Sequence, residues 1–384
     1  MIIGISASGT TGGTATLNLL NFNDFHGRID KNLTVPFAAT IEQLRAEHPD
    51  SSLLLAAGDS IGASLFNSSA QKDQPTIDVL NALGLKASAV GNHEFDQGYD
   101  DLTGRVIGTD GKRNAQWDYL GANVYKKGTG TPALQEYSIQ NVNGVRVGVI
   151  GVVTQETSTL VSPGGIKGIE FGDPVEAVNR VARQLTDGDE SNGEADVIVA
   201  EYHEAPPPTR MTPPPSRPST SRRPPAGVKK IVDDTDPAVD VIFTAHTHMK
   251  YSYTDPAHNG RPVIQTGSYA ANIGQVVLDY DKAPATSPTA SPATWRSTPA
   301  RATTSSRRRR RHRQEREEHR RRRRGQGPGG RRQASRSIAA DITTAFKDGA
   351  RDDRASESTM GNLSPTRCST HCRPRTAAAP KSAW

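Results

Sequence analysis

Five short apolar runs, each stopping on carboxylate, imidazole or carboxamide side chains, constrain this 384-residue chain more than any other feature. They are "TLNLLNFNDFHGR" (residues 16–28), "SSLLLAAGDS" (51–60), "ASAVGNHEFDQG" (87–98), "ADVIVAEYHEA" (195–205) and "VDVIFTAHTHMKY" (239–251). Each run is too short for a helix, and four of the five are rich in Val, Ile, Leu or Phe, as buried strands are. Helix-like stretches separate them, at Val35–Glu47, Thr76–Leu83 and Pro174–Leu185. Strand, helix, strand order predicts a layered α/β domain, in which sites gather beyond the carboxyl ends of strands.

All five runs end on residues able to hold a metal: Asp24 and His26, Asp59, Asn92 and His93 with Asp96 close behind, His203, and His246 with His248. On extended chain, Asp-x-His and His-x-His place side chains i and i+2 on one side, able to converge on one ion. Carboxylate, imidazole and carboxamide donors suit Mn, Fe, Co or Zn better than a calcium cage. Seven of these as ligands would exceed one tetrahedral centre, whereas two divalent ions ~3.5–4 Å apart sharing a carboxylate would use all seven. Taken singly, each has a plainer explanation. Asp24 and Asp59 could cap helices, Asn92-His93 could be a turn, and His203 could be a hydrogen-bonded strand-end histidine. Their conjunction at five strand ends favours the metal centre.

Composition sets the boundaries. Thr14–Glu204 and Val228–Asp281 are dense globular sequence, enough for one large domain. From Ala205 to Ala226 there are nine prolines and no acidic residue, and from Ala283 to Ser337 no Val, Ile, Leu, Phe or Tyr. Neither piece holds enough apolar surface to offset ordering entropy. The expected organisation is therefore a disordered 1–13, a domain over 14–282 interrupted at 205–227, a disordered Arg-rich 283–337, a globular-looking island at 338–363 and a disordered tail, 364–384. No run is long enough for a membrane helix, and "MIIGISASGTTGG" lacks the pattern of a signal peptide. The only cysteines, Cys368 and Cys372, provide no disulfide framework and lack the usual zinc-knuckle spacing.

The ordered motifs "NDFHG", "GDS", "GNHEFD", "YH" and "HTH" resemble the calcineurin-like metallophosphoesterases, and specifically the bacterial secreted 5′-nucleotidases. "YLGANV" (119–124), "VGVIGVVTQET" (147–157) and "VIQTGSYAANIGQVVLDYD" (263–281) extend the resemblance. "ESTMGNL" (357–363) looks like the opening of that family's C-terminal domain, so 338–363 reads as a remnant of a truncated second domain. The resemblance implies two central β-sheets flanked by helices and hydrolysis of nucleotide 5′-phosphates. One divalent ion would be held by Asp24, His26, Asp59 and His248, the other by Asp59, Asn92, His203 and His246, with Asp59 as the bridge. His93, with Asn92, would meet the substrate phosphate, and Asp96 would orient His93 as the catalytic pair. It further implies a monomer with a nucleotide or related phosphate-ester substrate, located outside the cell or in its envelope. A 2′,3′-cyclic nucleotide phosphodiesterase or nucleotide-sugar hydrolase would share these motifs.

Three segments break the pattern. After "YHE" the chain turns into "APPPTRMTPPPSRPSTSRRPPAG", and similar text fills 283–337 and 364–384. Residues 307–332 carry fourteen arginines against three glutamates, more net positive charge than the +6 of the whole chain. Such a run could belong to a non-enzymatic, basic nucleic-acid-binding protein. The abrupt switches, one just after His203, instead suggest out-of-frame reading of a GC-rich gene, so nucleic-acid binding by this segment is not expected. Family-like residues in the other reading frames of the coding DNA would support this, and their absence would exclude it. Ala245 stands where the family usually has glycine, and a methyl there would strain the loop if its φ were positive.

Overall fold

The computed structural model describes residues 13–109, 111–204 and 228–282, together with the short antiparallel pair Phe346–Lys347 and Ala350–Arg351. The expectations for the N-terminal stretch, the proline-rich interruption, the Arg-rich segment, the tail and nearly all of the 338–363 island lie outside the described residues. The chain divides into two compact units, Met1–Ser305 and Ser306–Trp384, and the site belongs to the first.

Two mixed sheets form its centre, as expected. The first contains β1 (Thr14–Phe22), β2 (Ser52–Ala56), β3 (Ala87–Ala89) and β4 (Asp118–Leu120), all parallel, with β11 (Gly274–Asp281) antiparallel beside β1. The second contains β5 (Tyr137–Val142), β6 (Val145–Val153), β7 (Val197–His203), β8 (Val241–Thr244), β9 (Lys250–Asp255) and β10 (Arg261–Thr266), in the order β9-β10-β8-β7-β6-β5. Strands β6, β7, β8 and β10 are parallel to one another.

The two-residue period of a strand determines the layers. Leu17, Leu19, Leu53 and Leu55 of the first sheet share one buried cluster with Val147, Val149, Val197, Val199 and Phe243 of the second. The intervening residues point outward. Leu20, Phe22 and Leu54 pack with Phe37, Ile41 and Leu44 of α1 (Thr34–Glu47) and Ile77 and Leu80 of α2 (Gln74–Ala82). Ile150, Val152, Ile198 and Ala200 pack with Val175, Val178 and Val181 of α3 (Pro174–Gln184) and with Ile231 and Val232 of α4 (Lys229–Asp234). The result is a helix, sheet, sheet, helix sandwich.

Helix α3 shows how local chemistry sets a boundary. The Asp173 carboxylate accepts from the N–H groups of Val175 (2.8 Å) and Glu176 (3.0 Å), and Pro174 fills the first helical position, where no N–H is needed. Strands β7 and β8, on either side of 205–227, pair directly, Val199 opposite Val241. The parallel strands of both sheets therefore carry all five motif clusters on their carboxyl ends.

Candidate metal centre

Beyond the strand ends, the first two motif loops continue side by side. The N–H of Asp24 donates to Gly58 O (3.1 Å), that of His26 to Asp59 O (2.9 Å), and that of Gly27 to Ser60 O (3.1 Å). Contrary to the expectation from the sequence, Asp-x-His and His-x-His do not lie on extended chain. Asp24 and His26 (both φ +49°), Asp59 (φ +52°), His246 (φ +72°) and His248 (φ +55°) are all left-handed. Convergence arises from these sharply turned loops, a conformation costly for non-glycine residues and concentrated at functional sites. Ala245 does not have positive φ, so its methyl group carries no such strain. Neither Asp24 nor Asp59 caps a helix: the described side-chain caps are Asp173 and Asp189.

All seven predicted ligands come together. His26 Nδ1 lies 2.9 Å from Gly62 O and His203 Nδ1 2.9 Å from Ala57 O, so each donates there and turns Nε2 toward the acidic cluster. His26 Nε2 then lies 3.3 Å from His248 Nε2, 3.6 Å from Asp59 Oδ2 and 4.0 Å from Asp24 Oδ1. His248 Nε2 is 3.4 Å from Asp24 Oδ1. On the other side, His203 Nε2 is 3.2 Å from both Asp59 Oδ2 and Asn92 Oδ1. The His246 ring is 5.2 Å from that of His203, and the backbone N–H of His246 donates to the Asp24 carboxylate. Asp59 Oδ2 thus stands between the two groups. Three overlapping sets, Asp24 with His26 and His248, Asp24 with Asp59 and His203, and His26 with Asp59 and His93, have donor atoms spaced to hold an ion.

The electrostatics fit cations. Burial pushes His26 below its ordinary value despite neighbouring Asp59, and burial with the charge of His203 pushes His246 down to about 4, leaving both neutral as ligands must be. Burial also opposes charging His203, but the Asp59 charge and hydrogen bond outweigh it and push His203 up to about 10. Burial opposes ionisation of Asp59 as well, yet His203 and His26 hold it far below the usual carboxylate range. In this balance a proton on His203 compensates the buried carboxylate. A divalent cation held by these residues would compensate the same charge and displace that proton.

His93 opens the short helix His93–Phe95. Its N–H donates to Asp59 Oδ1 (2.9 Å), its Nδ1 donates to Asp96 Oδ2 (2.8 Å), and its ring lies 5.0 Å from that of His26. Burial opposes its charged form, but the Asp96 hydrogen bond and the charges of Asp59, Asp96 and Glu94 raise its pKa above the ordinary histidine value.

Glu94 lies within "GNHEFD", and no sequence pattern assigns it a role. It is buried and accepts from four backbone N–H groups: Asp59 (2.9 Å) and Gly91 (2.7 Å) on Oε2, Ser60 (2.8 Å) and Ile61 (3.3 Å) on Oε1. One carboxylate thereby clamps the Asp59 loop to the Asn92-His93 loop. Gly58 and Gly91 permit this closeness. A Cβ on Gly58 would meet His203 Nδ1 at 2.6 Å, and one on Gly91 would meet Asp59 Oδ1 at 2.1 Å. A glycine immediately before a candidate ligand was the only available sequence signal.

Comparison with known proteins agrees with this geometry. A sequence profile described as calcineurin-like phosphoesterase matches residues 17–250. Endonuclease YhcR of Bacillus subtilis is 33% identical over 289 residues, covering 69% of this chain and 22% of that protein. The 5′-nucleotidase of Vibrio cholerae is 32% identical over 197 residues, covering 50% of this chain and 34% of the other. The chain thus spans between about a fifth and a third of the length of these curated relatives. In fold it is similar to the calcineurin-like phosphoesterase YfkN from Bacillus subtilis, with a TM-score of 0.55 at 23% identity, over 76% of this chain and 90% of that one.

Proposed function

The chain belongs to the calcineurin-like phosphoesterase family of metal-dependent hydrolases, and from that premise we propose that it hydrolyses nucleotide 5′-monophosphates to nucleoside and phosphate at a centre of two divalent cations. The carrying observation is the place of Asp59 Oδ2, 3.6 Å from His26 Nε2 and 3.2 Å from His203 Nε2, where one carboxylate serves two ligand groups. Asp24, His26, Asp59 and His248 would hold one ion; Asp59, Asn92, His203 and His246 the other. When bound, such ions supply positive charge to the phosphoryl oxygens and activate water.

The remaining chemistry belongs to the protein. His93, its Nδ1 engaged by Asp96, keeps Nε2 for the phosphoryl oxygens, and its favoured charged form stabilises the negative charge developing there. Glu94 keeps Asp59 and His93 in mutual register. Phosphate release from AMP is the test, with Mn, Co, Zn or Fe added and with chelator as control. Release that needs metal supports the proposal; none from AMP or p-nitrophenyl phosphate with any of the four excludes it.

A second reading is phosphodiester hydrolysis. In its favour, the match to a protein named as an endonuclease covers 69% of this chain, against 50% for the named nucleotidase. Preference for bis-p-nitrophenyl phosphate over the monoester would select it. Family membership and a cation-competent site set aside a non-enzymatic basic binding protein. No helix among the described residues is long and apolar enough to cross a membrane. The extracellular or envelope location remains part of the proposal, and fractionation of the producing cells tests it.

A further inference from the structure

Beside the centre stands an aromatic residue to which neither motif nor ligand set gives a role. Tyr269 lies in the loop between β10 and β11 with φ +61° and is 39% exposed. Left-handed backbone is a genuine outlier for so bulky a side chain and marks positions held by their surroundings. The restraint is visible: its N–H donates to Asp24 O at 2.8 Å. Its ring centre lies 5.6 Å from that of His26 and 5.2 Å from that of His248. Over the same ring, 4.1 Å from its centre, is the guanidinium carbon of Arg28, two residues after His26.

The Arg28 side chain makes no hydrogen bond or ion pair with another described residue, and its Nε is shielded from solvent without a partner. Stacking on a ring uses the charge of a guanidinium but not its planar fork of N–H donors. That fork matches a phosphate in two-point contact. Its location is also specific. His93 borders His26 on the phosphoryl-stabilising side, whereas Tyr269 borders both His26 and His248, the pair assigned to one cation.

We propose that Arg28, held over Tyr269, forms a subsite for a second phosphate group of the substrate, adjacent to the phosphoryl group that is cleaved. This inference rests on the phosphoesterase reading. It adds that the preferred substrates carry two neighbouring phosphates, either within a diphosphate or along a nucleotide strand. Tyr269 is the positioning residue, presenting the guanidinium beside the metal loop.

The test compares binding of methylenediphosphonate and methylphosphonate, which resist hydrolysis, to the metal-loaded full chain by calorimetry. Arg28→Ala is expected to lower affinity for the diphosphonate, relative to the monophosphonate, by about ten-fold or more, the scale of a charge-assisted pair of hydrogen bonds. Arg28→Gln retains the packing of the stem and gives the same readout if the alanine variant folds poorly. Tyr269→Phe keeps the stack and the wild-type preference; Tyr269→Ala loses part of it. Equal loss for both phosphonates, or loss for neither, overturns the proposal. Hydrolysis of ADP and of a 5′-phosphorylated dinucleotide separates the two sources of the second phosphate, since Arg28→Ala slows whichever is used. If wild type hydrolyses no phosphate ester, the functional reading fails, while the phosphonate comparison still decides the subsite.

Discussion

Removing the Glu94 carboxylate exposes how the centre is held. In Glu94→Ala the N–H groups of Asp59, Ser60, Ile61 and Gly91 lose their acceptor in a buried site. An orphaned buried donor costs ~1–3 kcal/mol, and water entering the vacated space recovers part of it, so a net loss of ~3–5 kcal/mol is expected. Glu94→Gln has the same shape but one carboxamide oxygen. Whichever way the amide turns, its NH2 faces two of the four N–H groups, for a loss of ~2–4 kcal/mol. Burial and the Asp59 charge push Glu94 up to about 7, against the pull of its N–H donors, so measurement at pH 8 keeps the carboxylate ionised. The assay is urea unfolding of chelator-treated protein, which removes any contribution from metal binding. A Glu94→Ala variant within ~1 kcal/mol of wild type would refute the clamp, because buried donors cannot be orphaned at so small a cost.

Two further substitutions probe the same loops. His93 is raised above its ordinary value and is charged below its pKa, so kcat/KM should fall as pH rises through it; Asp96→Asn removes the hydrogen-bonded charge and should move that alkaline limb to lower pH. A pH profile with p-nitrophenyl phosphate checks this, and an unmoved limb would deny Asp96 its orienting role. Gly91→Ala places a methyl group against Asp59 Oδ1 and N, at 2.1 and 2.5 Å, so Asp59 must move and bound metal should fall sharply by elemental analysis.

The sandwich was legible because strand periodicity is local. Leu17, Leu19 and Leu20, Phe22 show their two faces in the sequence itself, and Asp173-Pro174 announces α3. The candidate ligands stood out as ionisable residues where apolar runs stop. How they converge was not legible, since left-handed φ at Asp24, His26, Asp59, His246 and His248 is imposed by pairing between loops distant in sequence. Glu94 escaped for a related reason. Its partners are backbone N–H groups, which every residue type has, so no side-chain pattern signals them. Arg28 and Tyr269 meet only once β10 and β11 bring their connecting loop beside the first motif.

The most direct measurement is metal stoichiometry in wild type, Asp59→Ala and His248→Ala by elemental analysis. With Asp59 Oδ2 set between His26 and His203, two ions per wild-type chain are expected, with loss of both in Asp59→Ala and loss mainly of one in His248→Ala. Two ions retained by Asp59→Ala would contradict this.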